Sequence, residues 1–288
     1  LVLSLSRFGI KVLERFILAL VLIIGVCFAV QIFIVKPDIS EIAQGLIPSS
    51  LGNGALYIAI GMLGATVMPH NLYLHSSLVQ TRQIGSSIES RKEANRYNFL
   101  DSVFALNAAL LVNGGLLILS AAVFFKNGVV VTEIQQAHQM LTPLVGTTLA
   151  SVLFAIALLA SGQSSTITGT MAGQIVMEGF LNLRMRPWLR RLITRLIAII
   201  PAIIIIHLKG EEATMDLLIL SQIILSIQLP FAIIPLIQFT SNRQTMGELV
   251  NSRLLNLFSW ATAGLIVSLN LWLAFQVLTG WVAIAISL

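Results

Sequence analysis

Long, nearly uncharged apolar runs are the feature of this sequence that most restricts its fold. Several of them reach the ~20 residues that a helix needs to cross about 30 Å of hydrocarbon. They are continuous rather than alternating, which excludes a membrane β-barrel, and only helices then satisfy the backbone polar groups inside lipid. The chain is therefore predicted to be an all-α, multi-pass integral membrane protein. The runs lie at about residues 17–35, 97–125, 142–161, 192–207, 214–240 and 255–286.

The basic residues indicate how these spans are oriented. If seven spans alternate across the membrane, fourteen of the seventeen Lys and Arg residues face one side and three face the other. Cytoplasmic loops carry an excess of Lys and Arg, so the richer side is predicted to be the cytoplasm. Because the net charge of +5 follows this topology, we do not interpret it as a nucleic-acid-binding surface. The seven spans are placed at about residues 13–35, 55–83, 99–124, 143–178, 188–207, 214–238 and 255–286.

The second predicted span is interrupted near its middle. It is apolar up to Met68, where Pro69 follows, and it is polar from His70 onward. Proline has no N–H, and its ring clashes with a carbonyl one turn earlier. We therefore expect the helix to break here and to free carbonyls such as that of Ala65. Because discontinuous helices of this kind form ion and substrate sites in secondary transporters, the break is predicted to be the substrate site.

The donor atoms at this break indicate which kind of ion it suits. The thioether of Met68 is a soft donor, whereas backbone and amide oxygens are hard. If Met68 points inward, the mixed set favours Mn²⁺, Fe²⁺ or Cd²⁺ over Ca²⁺ and Mg²⁺. Other polar side chains within spans are costly in lipid and tend to face the bundle interior. They are Asn71, His75, Asn113, the run 161–166, Gln222 and Asn270.

Three strings in the sequence resemble the Nramp family of divalent metal transporters. GMLGATVMPHNLYLHSSLVQTR, at 61–82, resembles the sixth helix of that family and is highly specific. ASGQSSTITGTMAGQ, at 160–174, resembles the eighth helix, and LSQIILSIQLPFAIIPL, at 220–236, resembles the tenth. The resemblance, to the bacterial proton-coupled manganese transporter type, covers essentially the whole chain as helices five to eleven.

The resemblance implies roles for individual residues. Met68 would bind metal through its thioether, Ala65 through its backbone carbonyl, and Gln222 through an amide that approaches the metal in the occluded state. A second group is linked by the resemblance to proton coupling, conformational change or closing of the pathway. Its members are His70, His75, Asn113, Asn270, Arg190 and Arg191.

The family fold consists of two inverted repeats of five helices with an extra C-terminal helix here, and this chain would hold the second half. Since the chain begins with Leu and its first six residues resemble the end of a helix, we expect residues 1–288 to be one transmembrane transporter domain lacking an N-terminal part. The family's Asp-Pro-Gly-Asn motif, which gives the metal an aspartate and an asparagine, is not in this sequence. No Asp or Glu lies mid-span to replace it. We expect this chain to hold half of a metal site and to be inactive alone.

The predicted function is proton-coupled import of divalent transition metals by alternating access, with Mn²⁺ and Fe²⁺ as main substrates and Cd²⁺, Co²⁺ and Zn²⁺ as others. No enzymatic activity and no cofactor are expected. The predicted partners are divalent metal ions, protons and the lipid of a bacterial inner membrane, without nucleic acid. Protein partners stay open from the sequence.

Other functions stay open from the residues alone. A sodium-coupled symporter for organic solutes would share the architecture and would have no need of a thioether. A channel would need a continuous polar stripe or a carbonyl filter, and no such stripe recurs in the spans. Within the family, relatives that transport magnesium or aluminium replace the methionine, so Met68 argues against them.

Overall fold

Helices make up every regular element in the part of the chain that the structure describes. The structure is a computed structural model and describes residues 10–47, 53–181, 187–210 and 213–287. Within these ranges, five helices contain a stretch long and apolar enough to cross a membrane. A pair of short helices takes the place of the second predicted span, and an apolar segment, Arg195–Leu208, lies in the fifth. The prediction of an all-α, multi-pass membrane protein is confirmed.

The helices are numbered here in chain order. They are α1 (Ile10–Val35), α2 (Ile39–Gly45), α3 (Asn53–Thr66), α4 (Pro69–Gln80), α5 (Ile88–Val123), α6 (Ile134–Val145), α7 (Thr148–Leu181), α8 (Pro187–Lys209), α9 (Ala213–Ser241), α10 (Arg243–Met246) and α11 (Arg253–Ser287). Contacts divide them into two compact units. The first unit contains α1, α2 and α5 to α8, and the second contains α3, α4 and α9 to α11. The expected single transmembrane domain over residues 1–288 stays a prediction.

In the first unit, α1 packs against α5 and α7, and α6 packs against α7. The buried residues of this core include Cys27 of α1, Leu119 of α5 and Leu141 of α6. The contribution of α7 is small in size, because Ala150 and Ala157 are its buried members. In lipid, helices associate through close packing rather than through the hydrophobic effect, and small residues allow that approach. The alanines therefore let neighbouring helices approach α7 closely.

Two boundaries in the first unit differ from the prediction. α5 begins at Ile88 rather than near residue 99, because the charged segment before the span is also helical. The hydroxyl of Ser87 accepts the N–H of Ser90 at 3.1 Å and caps this helix, as N-cap serines do. The second difference is the start of the fourth span, which is predicted near residue 143 but begins at Thr148. The separate helix α6 ends before it, and its C-cap, Gly146, has a left-handed φ of 78°, a conformation that glycine adopts without strain.

In the second unit, α9 packs against α3, α4 and α11, and α11 also contacts α3. The core of this unit joins Ile60 of α3, Ile223 of α9 and Leu273 of α11, which are all almost completely buried. Because α9 contacts both halves of the interrupted span, it is the helix that fixes the position of the break.

A candidate substrate site at a helix break

The second span is broken at the predicted position. α3 ends at Thr66, α4 begins at Pro69, and Met68 between them has an extended backbone with φ −86° and ψ 132°. Pro69 occupies the first turn of α4, where its missing N–H would have no partner in any case. In a continuous helix that N–H would bond to the carbonyl of Ala65, four residues earlier. The break therefore deprives the Ala65 carbonyl of its helical donor.

Both helix ends are well formed on either side of Met68. The hydroxyl of Thr66 donates to the carbonyl of Met62 at 2.8 Å, and the N–H of Val67 donates to that of Leu63 at 2.9 Å. On the other side, the N–H of Asn71 donates to the carbonyl of Met68 at 3.1 Å. The C-terminal end of a helix carries a partial negative charge, and unwound carbonyls in such breaks coordinate cations. The end of α3 is thus electrostatically suited to a cation.

Beside the break, α3 and α9 meet at unusually short range. A Cβ atom on Gly64 would overlap the carbonyl oxygen of Gln222 and would lie 2.7 Å from the Cβ atom of Ser226. Those separations are shorter than any side chain tolerates, so only glycine lets the last turn of α3 occupy this position. The contact places the turn that contains Ala65 against the main chain of Gln222.

The side chain of Gln222 has an unused acceptor. Its Nε2 atom donates to the hydroxyl of Ser221 at 3.1 Å, whereas its Oε1 atom is buried and has no hydrogen-bond partner within the described residues. A buried acceptor without a partner costs about 1–3 kcal/mol. An amide oxygen is also a hard donor of the kind that Mn²⁺ accepts. The side chain is therefore equipped to bind a cation that reaches this end of α3.

One turn beyond Gln222, α9 is hydrogen-bonded to α11. The hydroxyl of Ser226 donates to the amide oxygen of Asn270 at 2.6 Å, and the amide nitrogen of Asn270 donates to the carbonyl of Ile266 at 2.9 Å. Ser226 and Asn270 are 0% and 4% exposed. The resemblance links Asn270 to closing of the pathway. Asn270 thus contacts the same stretch of α9 as Gly64 does.

The two predicted histidines lie on α4, after the break. His70 is half-buried and His75 is exposed. Five residues on a helix with 3.6 residues per turn set the two imidazoles on different faces. His70 is therefore the histidine that is shielded next to the break.

The remaining predicted residues belong to the first unit. Asn113 is exposed on α5. Arg190 and Arg191 fall in α8, but their side chains lie outside the described part of the structure. The second unit contains the three predicted metal-binding residues together with His70, His75 and Asn270.

The polar run 161–166 has a local explanation. Hydroxyls in and after the run donate to main-chain carbonyls of α7 itself: that of Thr166 to Gly162 at 2.7 Å and that of Thr170 to Thr166 at 2.6 Å. Such bonds satisfy a hydroxyl inside an apolar helix.

Sequence reasoning missed the parts played by Gly64 and Ser226. Ser226 follows Gln222 by one turn, and that spacing is a signal that could have marked it. Gly64 carries no comparable signal, because its importance depends on a neighbour that lies far away in the sequence.

Within the described ranges, no three His, Cys, Asp or Glu side chains lie close enough to hold a metal ion. The predicted metal ligands are neutral: a thioether, a main-chain carbonyl and an amide oxygen. Together these features define a multi-pass helical membrane protein with a discontinuous helix at its predicted substrate site. Over residues 1–276 the sequence matches the family described as "Nramp: Natural resistance-associated macrophage protein-like". The chain belongs to this family.

Curated relatives named "Divalent metal cation transporter MntH" are similar to almost the whole chain. Those of Nostoc sp., Listeria monocytogenes and Bradyrhizobium diazoefficiens are 55%, 53% and 52% identical to it over 283, 283 and 284 residues. Each match covers 97% of this chain but only 64%, 63% and 63% of the respective relative. The chain thus spans less than two thirds of the length of these relatives.

A solved structure supports the same relationship. The manganese transporter of Eremococcus coleocola, in complex with an aromatic bis-isothiourea substituted compound, superimposes with a TM-score of 0.83 at 38% identity. The match covers 94% of this chain and 60% of that one.

These comparisons confirm the predicted family and fold class. The relatives are named as transporters, which agrees with the prediction that the chain is not an enzyme. The source organisms of the curated relatives are bacteria, which supports the predicted place in a bacterial inner membrane. The roles of individual residues stay predictions.

Proposed function

We propose that this protein transports divalent transition-metal ions, chiefly Mn²⁺ and Fe²⁺, across the membrane by alternating access. The observation that carries the proposal is the break at Met68, whose preceding turn lies against the main chain of Gln222. The side-chain amide oxygen of Gln222 is buried and has no hydrogen-bond partner among the described residues. The names of the relatives and the manganese transporter among the solved structures support the same substrate class. Because they are named for divalent metal cations or manganese, a sodium-coupled symporter for organic solutes is not favoured.

Donor chemistry supports selection of transition metals over the alkaline earths. Ca²⁺ and Mg²⁺ bind through oxygen, and a thioether gives them little. Mn²⁺ and Fe²⁺ accept both the hard oxygens and the softer sulfur of Met68. In this proposal Met68 acts as the selectivity filter, while Ala65 and Gln222 supply oxygen donors that any of these cations accepts.

The neutral donors do not balance the charge of a divalent cation in a membrane interior, where unpaired charge is costly. We propose that an anionic ligand completes the site, in the place that the family gives to the aspartate of its Asp-Pro-Gly-Asn motif. This chain would then provide the neutral wall of the metal site, and that wall would govern which metal is preferred.

Proton movement is assigned in this proposal to His70. An imidazole changes its charge near physiological pH, and His70 is half-buried on α4 beside the break. A protonated His70 would repel a cation at the end of α3, so release of its proton would favour metal binding. His75 is exposed, and in this proposal its role is in the conformational change rather than in the response to bound metal.

The test is Mn²⁺ uptake by the full-length protein carrying Met68→Ala, measured with and without competing Ca²⁺ and Mg²⁺. We expect Mn²⁺ transport to be reduced rather than abolished, and inhibition by Ca²⁺ to become stronger. Met62→Ala is the matched control, because it removes a thioether from the exposed side of α3. If Met68→Ala and Met62→Ala show the same selectivity, the proposed role of the thioether is wrong.

A further inference from the structure

We propose that Gly64 is a positioning residue for the metal site, because its missing side chain sets how closely the helix break approaches Gln222. The inference rests on the proposed function and deepens it. It concerns the distance between two groups of donors. The carbonyl of Ala65 and the thioether of Met68 lie at and just after the end of α3, and the amide of Gln222 lies on α9.

The contact at Gly64 cannot be relieved by a side chain that swings away. Of the three atoms that a Cβ would meet, one is the main-chain carbonyl oxygen of Gln222. The other two are the Cβ and Cα atoms of Ser226, which are fixed to the backbone of α9. A methyl group at position 64 must therefore displace one helix from the other. Restoring an ordinary contact of about 3.5–4.0 Å from the 2.7 Å to Ser226 requires a movement of roughly 1 Å.

α9 is also held by α11, so it resists that movement. The hydroxyl of Ser226 is bonded to Asn270 of α11, in a position with no exposed surface. Ile223, in the next position after Gln222, is packed between Ile60 and Leu273. The end of α3, which is followed directly by the break, is the less constrained partner, and it carries Ala65 and Met68 with it when it moves.

A displacement of this size has a large effect on metal binding and a small effect on helix packing. Metal–ligand distances are held within about 0.2 Å of their preferred values, so donors separated by an extra ~1 Å no longer bind the same ion together. In the proposed site, the buried Oε1 atom of Gln222, which has no hydrogen-bond partner in the described residues, binds the same ion as the donors at the end of α3. We conclude that the identity of residue 64 controls the strength of metal binding.

Gly61 provides a matched control one turn earlier on the same helix. It is also buried, but a Cβ atom there meets nothing within 4 Å. Replacing either glycine by alanine raises helix propensity by the same amount, so any difference between the two variants comes from the contact with α9.

The experiment compares Gly64→Ala and Gly61→Ala in the full-length protein, using Mn²⁺ uptake to obtain KM and Vmax and titration of the purified protein with Mn²⁺ to obtain Kd. For Gly64→Ala we expect Kd and KM to rise about 10- to 100-fold, as for supporting residues around other metal sites, with a much smaller change in Vmax. Gly61→Ala should retain the wild-type Kd. Equal Kd values for wild type and Gly64→Ala would overturn the inference.

Ser226→Ala decides the matter if Gly64→Ala does not accumulate in membranes. This variant removes the hydrogen bond to Asn270 without adding an atom, so α9 is held less firmly. We expect Kd to rise, as for Gly64→Ala. An unchanged Kd would overturn the inference. Failure of the proposed function has a different signature: wild type and Gly61→Ala would then show no saturable Mn²⁺ binding at all.

Discussion

The hydroxyl of Ser226 donates a 2.6 Å hydrogen bond to the amide oxygen of Asn270, and both side chains are buried where α9 meets α11. The same stretch of α9 also receives the close contact from Gly64 of α3. A single turn, from Gln222 to Ser226, thus joins the candidate metal ligand to the two helices that pack around it.

Removing this hydrogen bond should destabilise the second unit. Ser226→Ala leaves the amide oxygen of Asn270 buried without its donor, and polar pairs between membrane helices contribute about 0.6–1.7 kcal/mol. We expect a loss of roughly 1 kcal/mol, measured as a lower Tm of the purified protein. Ser268→Ala is the control, because that exposed hydroxyl bonds only to the carbonyl of Gly264 in its own helix. Equal Tm values for Ser226→Ala and Ser268→Ala would contradict the assigned stabilisation.

Restoring an N–H at the break should weaken metal binding. Pro69→Ala supplies the donor that the carbonyl of Ala65 lacks, and a continuous helix would then use this oxygen internally. We expect KM for Mn²⁺ uptake to rise about tenfold or more. Pro143→Ala, at an exposed proline inside α6, should leave KM unchanged. A wild-type KM in Pro69→Ala would show that the freed carbonyl is not a ligand.

Gln222→Leu should change stability and binding in opposite directions. It replaces a buried acceptor that has no partner among the described residues by an apolar group of similar size, so metal-free protein should gain about 1 kcal/mol. The same change removes an oxygen donor, so the Kd for Mn²⁺ should rise. Gln228→Leu, at an exposed position on α9, serves as the comparison in both assays. If Tm and affinity fall together in Gln222→Leu, the amide oxygen is structural rather than a ligand.

His70→Ala should separate proton movement from metal movement. Because we assign the proton to His70, the variant should lose Mn²⁺-driven acidification of proteoliposomes more than it loses Mn²⁺ binding. His207→Ala, at an exposed histidine of α8, should retain both. Equal loss of acidification and of binding in His70→Ala would count against the proton role.

The loop after α1 should show a pH-dependent helix cap. The N–H of Ser40 donates to Asp38 at 2.8 Å, and this hydrogen bond holds the pKa of the Asp38 carboxyl below its ordinary value. Because the folded pKa is lowered, the stabilisation of α2 is present above the unfolded pKa and is lost as pH falls through the folded pKa. NMR titration of the Asp38 side chain should show the lowered pKa. Ser40→Pro, which removes the donor, should bring the pKa back toward its ordinary value.

Features that depend on local chemistry could be predicted from the sequence. The break follows from Pro69 itself, since a missing N–H acts within one helical turn, and the spans follow from the continuous apolar runs. The start of α5 at Ile88 could not be predicted from hydropathy, because a charged segment outside the membrane forms a helix by capping and propensity alone.

Contacts between distant segments could not be predicted in the same way. The sequence shows that Ser226 and Asn270 are polar residues in apolar spans, but their pairing over 44 positions depends on how α9 and α11 pack. Gly64 has the same limitation, since its close contact with Gln222 exists only once α3 lies on α9. The family resemblance implies a ligand role for Gln222 but implies none for Gly64 or Ser226.

The bond between Ser226 and Asn270 joins a hydroxyl to a carboxamide, and neither group gains or loses a proton in the physiological pH range. The strength of the hydrogen bond between α9 and α11 therefore does not depend on pH in this range. In the proposed function, His70 gains and loses a proton while this junction does not. This neutral junction can keep Gln222 in one place at every stage of protonation.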